Sequence, residues 1–210
     1  MCIICEGTID ENIEFLNCKG CETITEIPYL PKLKNLICRD CTALTRITCL
    51  PELEKLYCVR CVNLEEIPAM PKLRELDCFG TTLSQLPLIP TLEKLSCYNC
   101  PALSKLPNFP CLRDLDCAYT HLRELPKFPK LKMLRCSLSK ITEIPYIATL
   151  KALNCSHTPI TSIPAICGLE VLDCSGCEAI RRIPRLRNLR SLVCDTCVRL
   201  VELPKLPNVL

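Results

Sequence analysis

Tryptophan is absent from this chain and aromatic residues make up only 4% of it, so a core filled with leucine, isoleucine and cysteine is expected. The two histidines, His121 and His157, stand in different parts of the sequence. No cysteine therefore has a plausible activating base nearby, which argues against nucleophilic catalysis and for a non-enzymatic chain. No apolar run approaches the ~18 residues of a membrane span. The opening Met1-Cys-Ile-Ile-Cys-Glu-Gly lacks the basic flank and apolar run of a signal peptide. The net charge is only +3, so the molecule as a whole has no strong pull toward nucleic acid. An intracellular protein with reduced thiols is expected, and the odd count of 21 cysteines agrees.

What the chain has is a period. The pattern L-x-x-L-x-C returns ten times at a spacing of 19 or 20 residues, opened by Ile13, Leu33, Leu53, Leu73, Leu92, Leu112, Leu131, Leu150, Leu169 and Leu189. Each occurrence ends on a cysteine, from Cys18, Cys38 and Cys58 through to Cys194. Self-similarity at this period means a stack of small units that touch only their neighbours. Leu36 and Cys38 are two apart, which puts them on one face of a strand and leaves Asn35 and Ile37 facing out. Identical strands joined by return loops lie parallel, about 4.8 Å apart, so ten make a sheet roughly 50 Å long.

The return segments are too short for helices. Pairs such as Pro28/Pro31, Pro68/Pro71, Pro87/Pro90 and Pro126/Pro129 keep phase with the repeat, and read as polyproline II rather than disorder. The expected fold is a solenoid with one curved parallel sheet on its concave side, a polyproline or irregular convex side, and no α-helix. Residues 1–12 read as a stunted repeat acting as a cap, 13–208 as ten repeats, and 209–210 as the start of an incomplete eleventh.

The full repeat, L-x-x-L-x-C-x-x-C-x-x-L-x-x-I-P-x-L-P, resembles the leucine-rich repeat. In its short, proline-ended form it is similar to the effectors that enteric pathogens inject into host cells. Its cysteine column resembles repeat proteins of giant amoebal viruses of the marseillevirus kind. The resemblance implies a right-handed solenoid that binds protein, and host cytoplasm or virion as its location if the chain is viral. Some bacterial relatives add a ubiquitin-ligase domain, an activity that does not carry over to these 210 residues.

Seven C-x-x-C pairs invite a zinc reading, and Cys18/Cys21 with Cys38/Cys41 has zinc-ribbon spacing. The later column, however, holds Thr81, Thr120, Ser139 and Thr158 in four repeats. Those repeats run 19 residues, and the cysteine-bearing ones run 20. The column follows turn geometry, so an interior ladder with no metal and no cofactor is expected. In that column a hydroxyl is suited to satisfying buried backbone groups, whereas a thiol is expected mainly to fill space. A thiolate metal-binding or redox protein is the alternative.

Charges alternate along two outward columns: Glu14, Lys34, Glu54, Arg74, Glu93, Arg113, and Lys55, Glu75, Lys94, Asp114. Stacked side by side, they fix register on a solvated face. The candidate binding site is the aromatic group Tyr57, Phe79, Tyr98 and Tyr119 with the flanking Asp77 and Asp116, since aromatics are enriched at interface centres. The second choice is an apolar strip of Met133, Leu138, Ala152 and Val171. An arginine cluster (Arg181, Arg182, Arg185, Arg187, Arg190 and Arg199) has no aromatic within it to stack bases, so nucleic acid is disfavoured as a partner. The expected function is protein binding on the concave face by an unidentified partner. The alternative is a structural component self-associating through its C-terminal edge, near Leu192–Cys194 and Leu200–Leu210.

Overall fold

The computed structural model describes residues 4–7 and 9–203. In chain order its strands are β1 (Phe15–Asn17), β2 (Glu26–Ile27), β3 (Asn35–Ile37), β4 (Arg46–Ile47), β5 (Lys55–Tyr57), β6 (Glu75–Asp77), β7 (Lys94–Ser96), β8 (Asp114–Asp116), β9 (Met133–Arg135), β10 (Ala152–Asn154), β11 (Val171–Asp173) and β12 (Ser191–Val193). Strands β2 and β4 pair with each other, and the other ten form one parallel sheet in chain order. No helix occurs among the described residues.

Each sheet strand except β12 buries only its central leucine, and these meet in register, Leu36 on Leu56, Leu56 on Leu76 and Leu76 on Leu95. Pairing runs on past the strand into the turn. The Cys38 N–H donates to the Tyr57 carbonyl at 2.9 Å and the Asp40 N–H to the Val59 carbonyl at 2.8 Å. In a single repeat Leu33, Leu36, Cys38, Cys41, Leu44 and Leu50 are all fully buried. Burying one such leucine side chain stabilises by roughly 1.5–3 kcal/mol. The nine ladder cysteines from Cys18 to Cys174 lie in this core, and Cys194 in the last turn is half-buried.

Two residues after each ladder cysteine the backbone turns left-handed. The position is Gly20, Gly80 or Gly176 in three repeats, but Asp40, Arg60, Asn99, Tyr119, Leu138, His157 and Thr196 in the others, with φ between 53° and 70°. The following N–H closes a tight turn, as from Cys21 to the Cys18 carbonyl at 3.1 Å, and of the turns closed this way it is the type II form that takes positive φ at its third residue. The glycines suit it, whereas Leu138 is a bulky side chain held there at φ 54°. Leu138→Gly is therefore expected to raise stability by about 0.5–1 kcal/mol in urea unfolding, the relief of strain outweighing the glycine's added chain entropy.

The column three residues after the ladder cysteine behaves differently from expectation. Its thiols donate hydrogen bonds rather than only filling space. Cys41, Cys61, Cys100, Cys177 and Cys197 reach back to the ladder carbonyl of the preceding repeat, at 2.8–3.1 Å. Thr81, Thr120, Ser139 and Thr158 instead bond the ladder carbonyl of their own repeat, at 2.6–2.9 Å. The thiol ties two repeats together, and the hydroxyl closes one.

The return side carries one short parallel pair, Glu26 on Arg46 and Ile27 on Ile47. It forms because Thr48 stands where Pro28, Pro68 and Pro87 stand in other repeats, and the Thr48 N–H donates to the Ile27 carbonyl at 3.1 Å. A bridge between Arg182 and Glu202 adds a second contact on this side. At the C-terminal end Leu203 is 54% exposed, whereas Ile47 in the same column is 3% exposed. The predicted cap falls partly outside the described residues, and so do the end of the tenth repeat and residues 209–210.

Candidate functional site

The outer face of the sheet brings the last strand residues into one row. Tyr57 pairs with Asp77, Asp77 with Ser96, Ser96 with Asp116, and Asp116 with Arg135. Ser96 is the smallest of the five, and the face is hollowed there. The hollow is about 220 Å³, lined by Tyr57, Glu75, Asp77, Lys94, Asp116 and Arg135 among others. A second hollow of about 360 Å³ adjoins it toward the strand exits and shares Asp77, Ser96 and Asp116.

Three of the four predicted aromatics form one stack bordering this surface. Phe79 lies on Tyr98 with ring centroids 5.2 Å apart, and Tyr98 meets Tyr119 at 5.0 Å. Such pairs contribute about 0.5–1.5 kcal/mol beyond their buried area. Tyr57 stands apart, on strand β5. Its hydroxyl donates to Glu75 at 3.0 Å, and the Arg39 guanidinium sits 5.2 Å from its ring centroid. Tyr119 lies at the left-handed turn position, so the backbone strain of that turn presents its ring.

The carboxylates divide into compensated and uncompensated. Glu75 pairs with Lys94 at 3.0 Å and with Lys55 at 3.8 Å. Burial raises its carboxyl, but the bonds from Lys94 and Tyr57 outweigh this and hold it below the usual range. Asp77 pairs with Arg39 at 3.5 Å, and Asp114 with Arg135 at 3.2 Å. Asp116 makes no ion pair among the described residues and accepts the Ala118 N–H at 3.2 Å. Burial pushes its carboxyl up, outweighing the Ala118 N–H and the Arg135 charge that lower it, and Asp114 and Asp77 add to the rise. The floor of the hollow thus holds one partly buried carboxylate that makes no ion pair among the described residues.

The remaining predicted residues fall as follows. Met133, Ala152 and Val171 are adjacent on β9, β10 and β11, and Leu138 stands at the turn after β9. The alternating charges pair across repeats, with Lys34–Glu14 at 2.9 Å and Arg74–Glu93 at 3.5 Å. The six clustered arginines are exposed. Among the described residues no group of three or more histidine, cysteine or carboxylate side chains is arranged to hold a metal ion. Sequence reasoning missed Ser96 and Arg39. The signal for Ser96 was a small residue in a column otherwise holding Tyr57, Asp77 and Asp116.

Compared with solved structures, the chain is similar to YopM from Yersinia enterocolitica WA-314, at 24% identity and a TM-score of 0.63, over 89% of this chain and 52% of that one. It is also similar to the functional domain of InlJ from Listeria monocytogenes, which includes a cysteine ladder. That match has 20% identity and a TM-score of 0.66, over 92% of this chain and 56% of that one. The fold is a leucine-rich-repeat solenoid. The chain spans about half the length of each of these neighbours. No protein-family model and no curated protein sequence matches it. A column of cysteines stacked repeat on repeat likewise runs through the present core.

Proposed function

We propose that this leucine-rich-repeat chain is a non-enzymatic binding module whose concave face takes a protein partner through a basic side chain. The observation that carries the reading is Asp116. Its carboxylate lies on the floor of the hollow at Ser96 without an ion pair, beside the Phe79–Tyr98–Tyr119 stack. A lysine or arginine entering there would meet a carboxylate already partly stripped of water and aromatic faces for its stem or guanidinium. The neighbouring carboxylates are occupied by Arg39, Lys94 and Arg135, so the charge complementarity centres on this one group. Aromatic anchors surrounded by paired charges are the composition of an interface centre.

Selection of a random peptide library on the wild-type chain tests this. Selected peptides are expected to share a basic residue next to apolar ones, and to lose at least tenfold in affinity against both Asp116→Lys and Tyr98→Ala. Peptides that bind both variants as well as the wild type would remove this surface from consideration.

A further inference from the structure

Cysteine in the second column is fully buried in Cys41, Cys61 and Cys100, where each thiol is spent on a ladder carbonyl. Cys21, at the first turn of the stack, is only half-buried. Its sulfur lies 3.4 Å from the sulfur of the exposed Cys5. The Thr23 hydroxyl completes a near-equilateral triangle with them, 3.2 Å from Cys5 and 3.5 Å from Cys21. The pair opens onto a hollow of about 260 Å³ that is also lined by Asn17, Lys19 and Gly20. A small molecule can therefore reach both sulfurs, and the Lys19 ammonium favours negative charge there.

We propose that Cys5 and Cys21 form a dithiol site that exchanges with low-molecular-weight disulfides and closes into a Cys5–Cys21 bond, clasping the N-terminal turn onto the first repeat. The Cys21 thiolate attacks one sulfur of the small disulfide, forming a mixed disulfide and releasing one small thiolate. Cys5 then gives up its proton and attacks the Cys21 sulfur, and the second small thiolate leaves. The protein loses two electrons and two protons, and the disulfide becomes two thiols. The sulfurs must close by about 1.4 Å to reach the bond length of about 2.05 Å. Burial raises the Cys21 thiol, but bonds from Thr23 and Cys5 outweigh it and lower it to about 7, near the optimum for an attacking thiol at neutral pH. The ladder thiols Cys58, Cys97 and Cys117 are pushed the other way by burial and stay protonated.

The test is incubation of the reduced chain with glutathione disulfide at neutral pH, followed by acid quench, alkylation and non-reducing peptide mapping. A Cys5–Cys21 linked peptide is expected, with Cys58, Cys97 and Cys117 recovered alkylated only after unfolding. In Cys5→Ser the glutathione adduct should persist on Cys21, and Cys21→Ser should reduce oxidation at Cys5 at least tenfold. A lasting glutathione adduct on wild-type Cys21, a bond from Cys21 to any other cysteine, or an unmodified Cys21 would overturn the proposal.

Discussion

Leu115→Ala is expected to lower the stability of the stack by about 3 kcal/mol, while Leu192→Ala costs under about 1 kcal/mol. Both residues occupy the centre of a sheet strand and the same column of the repeat. Leu115 is fully buried on β8, between Leu95 on one side and Leu134 on the other. Truncating it opens a cavity in a core that has little freedom to collapse, since each neighbouring leucine is held by its own backbone ladder. It also weakens two repeat interfaces at once, and a solenoid's stability is close to a sum over such interfaces. Leu192 lies on β12, is only partly buried and packs against Leu172 on one side. Urea unfolding followed by circular dichroism measures both. Equal losses would mean that the last described strand is as well covered as the middle of the sheet.

Thr120→Val is expected to cost about 2 kcal/mol, and Thr81→Val about half as much. The two threonines occupy the same column and are equally buried. The Thr120 hydroxyl donates to the Cys117 carbonyl at 2.7 Å, and it is the donor that this carbonyl has among the described residues. Valine keeps the shape and leaves a buried acceptor unpaired. The Cys78 carbonyl, by contrast, takes the Thr81 hydroxyl at 2.9 Å, the Cys100 thiol at 3.1 Å and the Thr81 N–H at 3.3 Å. It keeps two partners when the hydroxyl is removed. Thr120→Ser should be close to neutral, because Ser139 makes the same bond at 2.7 Å in the next repeat. The same unfolding measurement checks all three, and identical losses for the two valine variants would refute the sharing of the Cys78 carbonyl.

Much of the architecture could be read from residue types alone. The spacing of Leu36 and Cys38 predicts a strand, the phase of the prolines forbids helices, and both features are found. The exchange of Cys for Thr or Ser with repeat length pointed to turn geometry. Its mechanism was not legible, because a 20-residue repeat brings the sulfur to the preceding turn rather than its own, and that choice is made in three dimensions. The left-handed column was partly visible in Gly20, Gly80, Gly176 and Asn99. Tyr119, Leu138 and Thr196 hid it, since neighbouring repeats hold them in a conformation they would not choose. At the candidate site the aromatic columns could be counted. The separation of Tyr57 from the other three rings could not, because it depends on Glu75 and Arg39 reaching across strands.

The amino-acid sequence by itself determined the period, the parallel stacking and the burial of the ladder thiols from Cys18 to Cys174, because a repeated apolar pattern admits one way of hiding the same side chains repeat after repeat. The tertiary structure alone decided which charges are neutralised. Ion pairing depends on side-chain reach between neighbouring strands, and that reach leaves Asp116 without an ion pair among the described residues while Glu75, Asp77 and Asp114 find one. It also decided that Cys5 and Cys21, sixteen residues apart in the chain, lie with their sulfurs 3.4 Å apart.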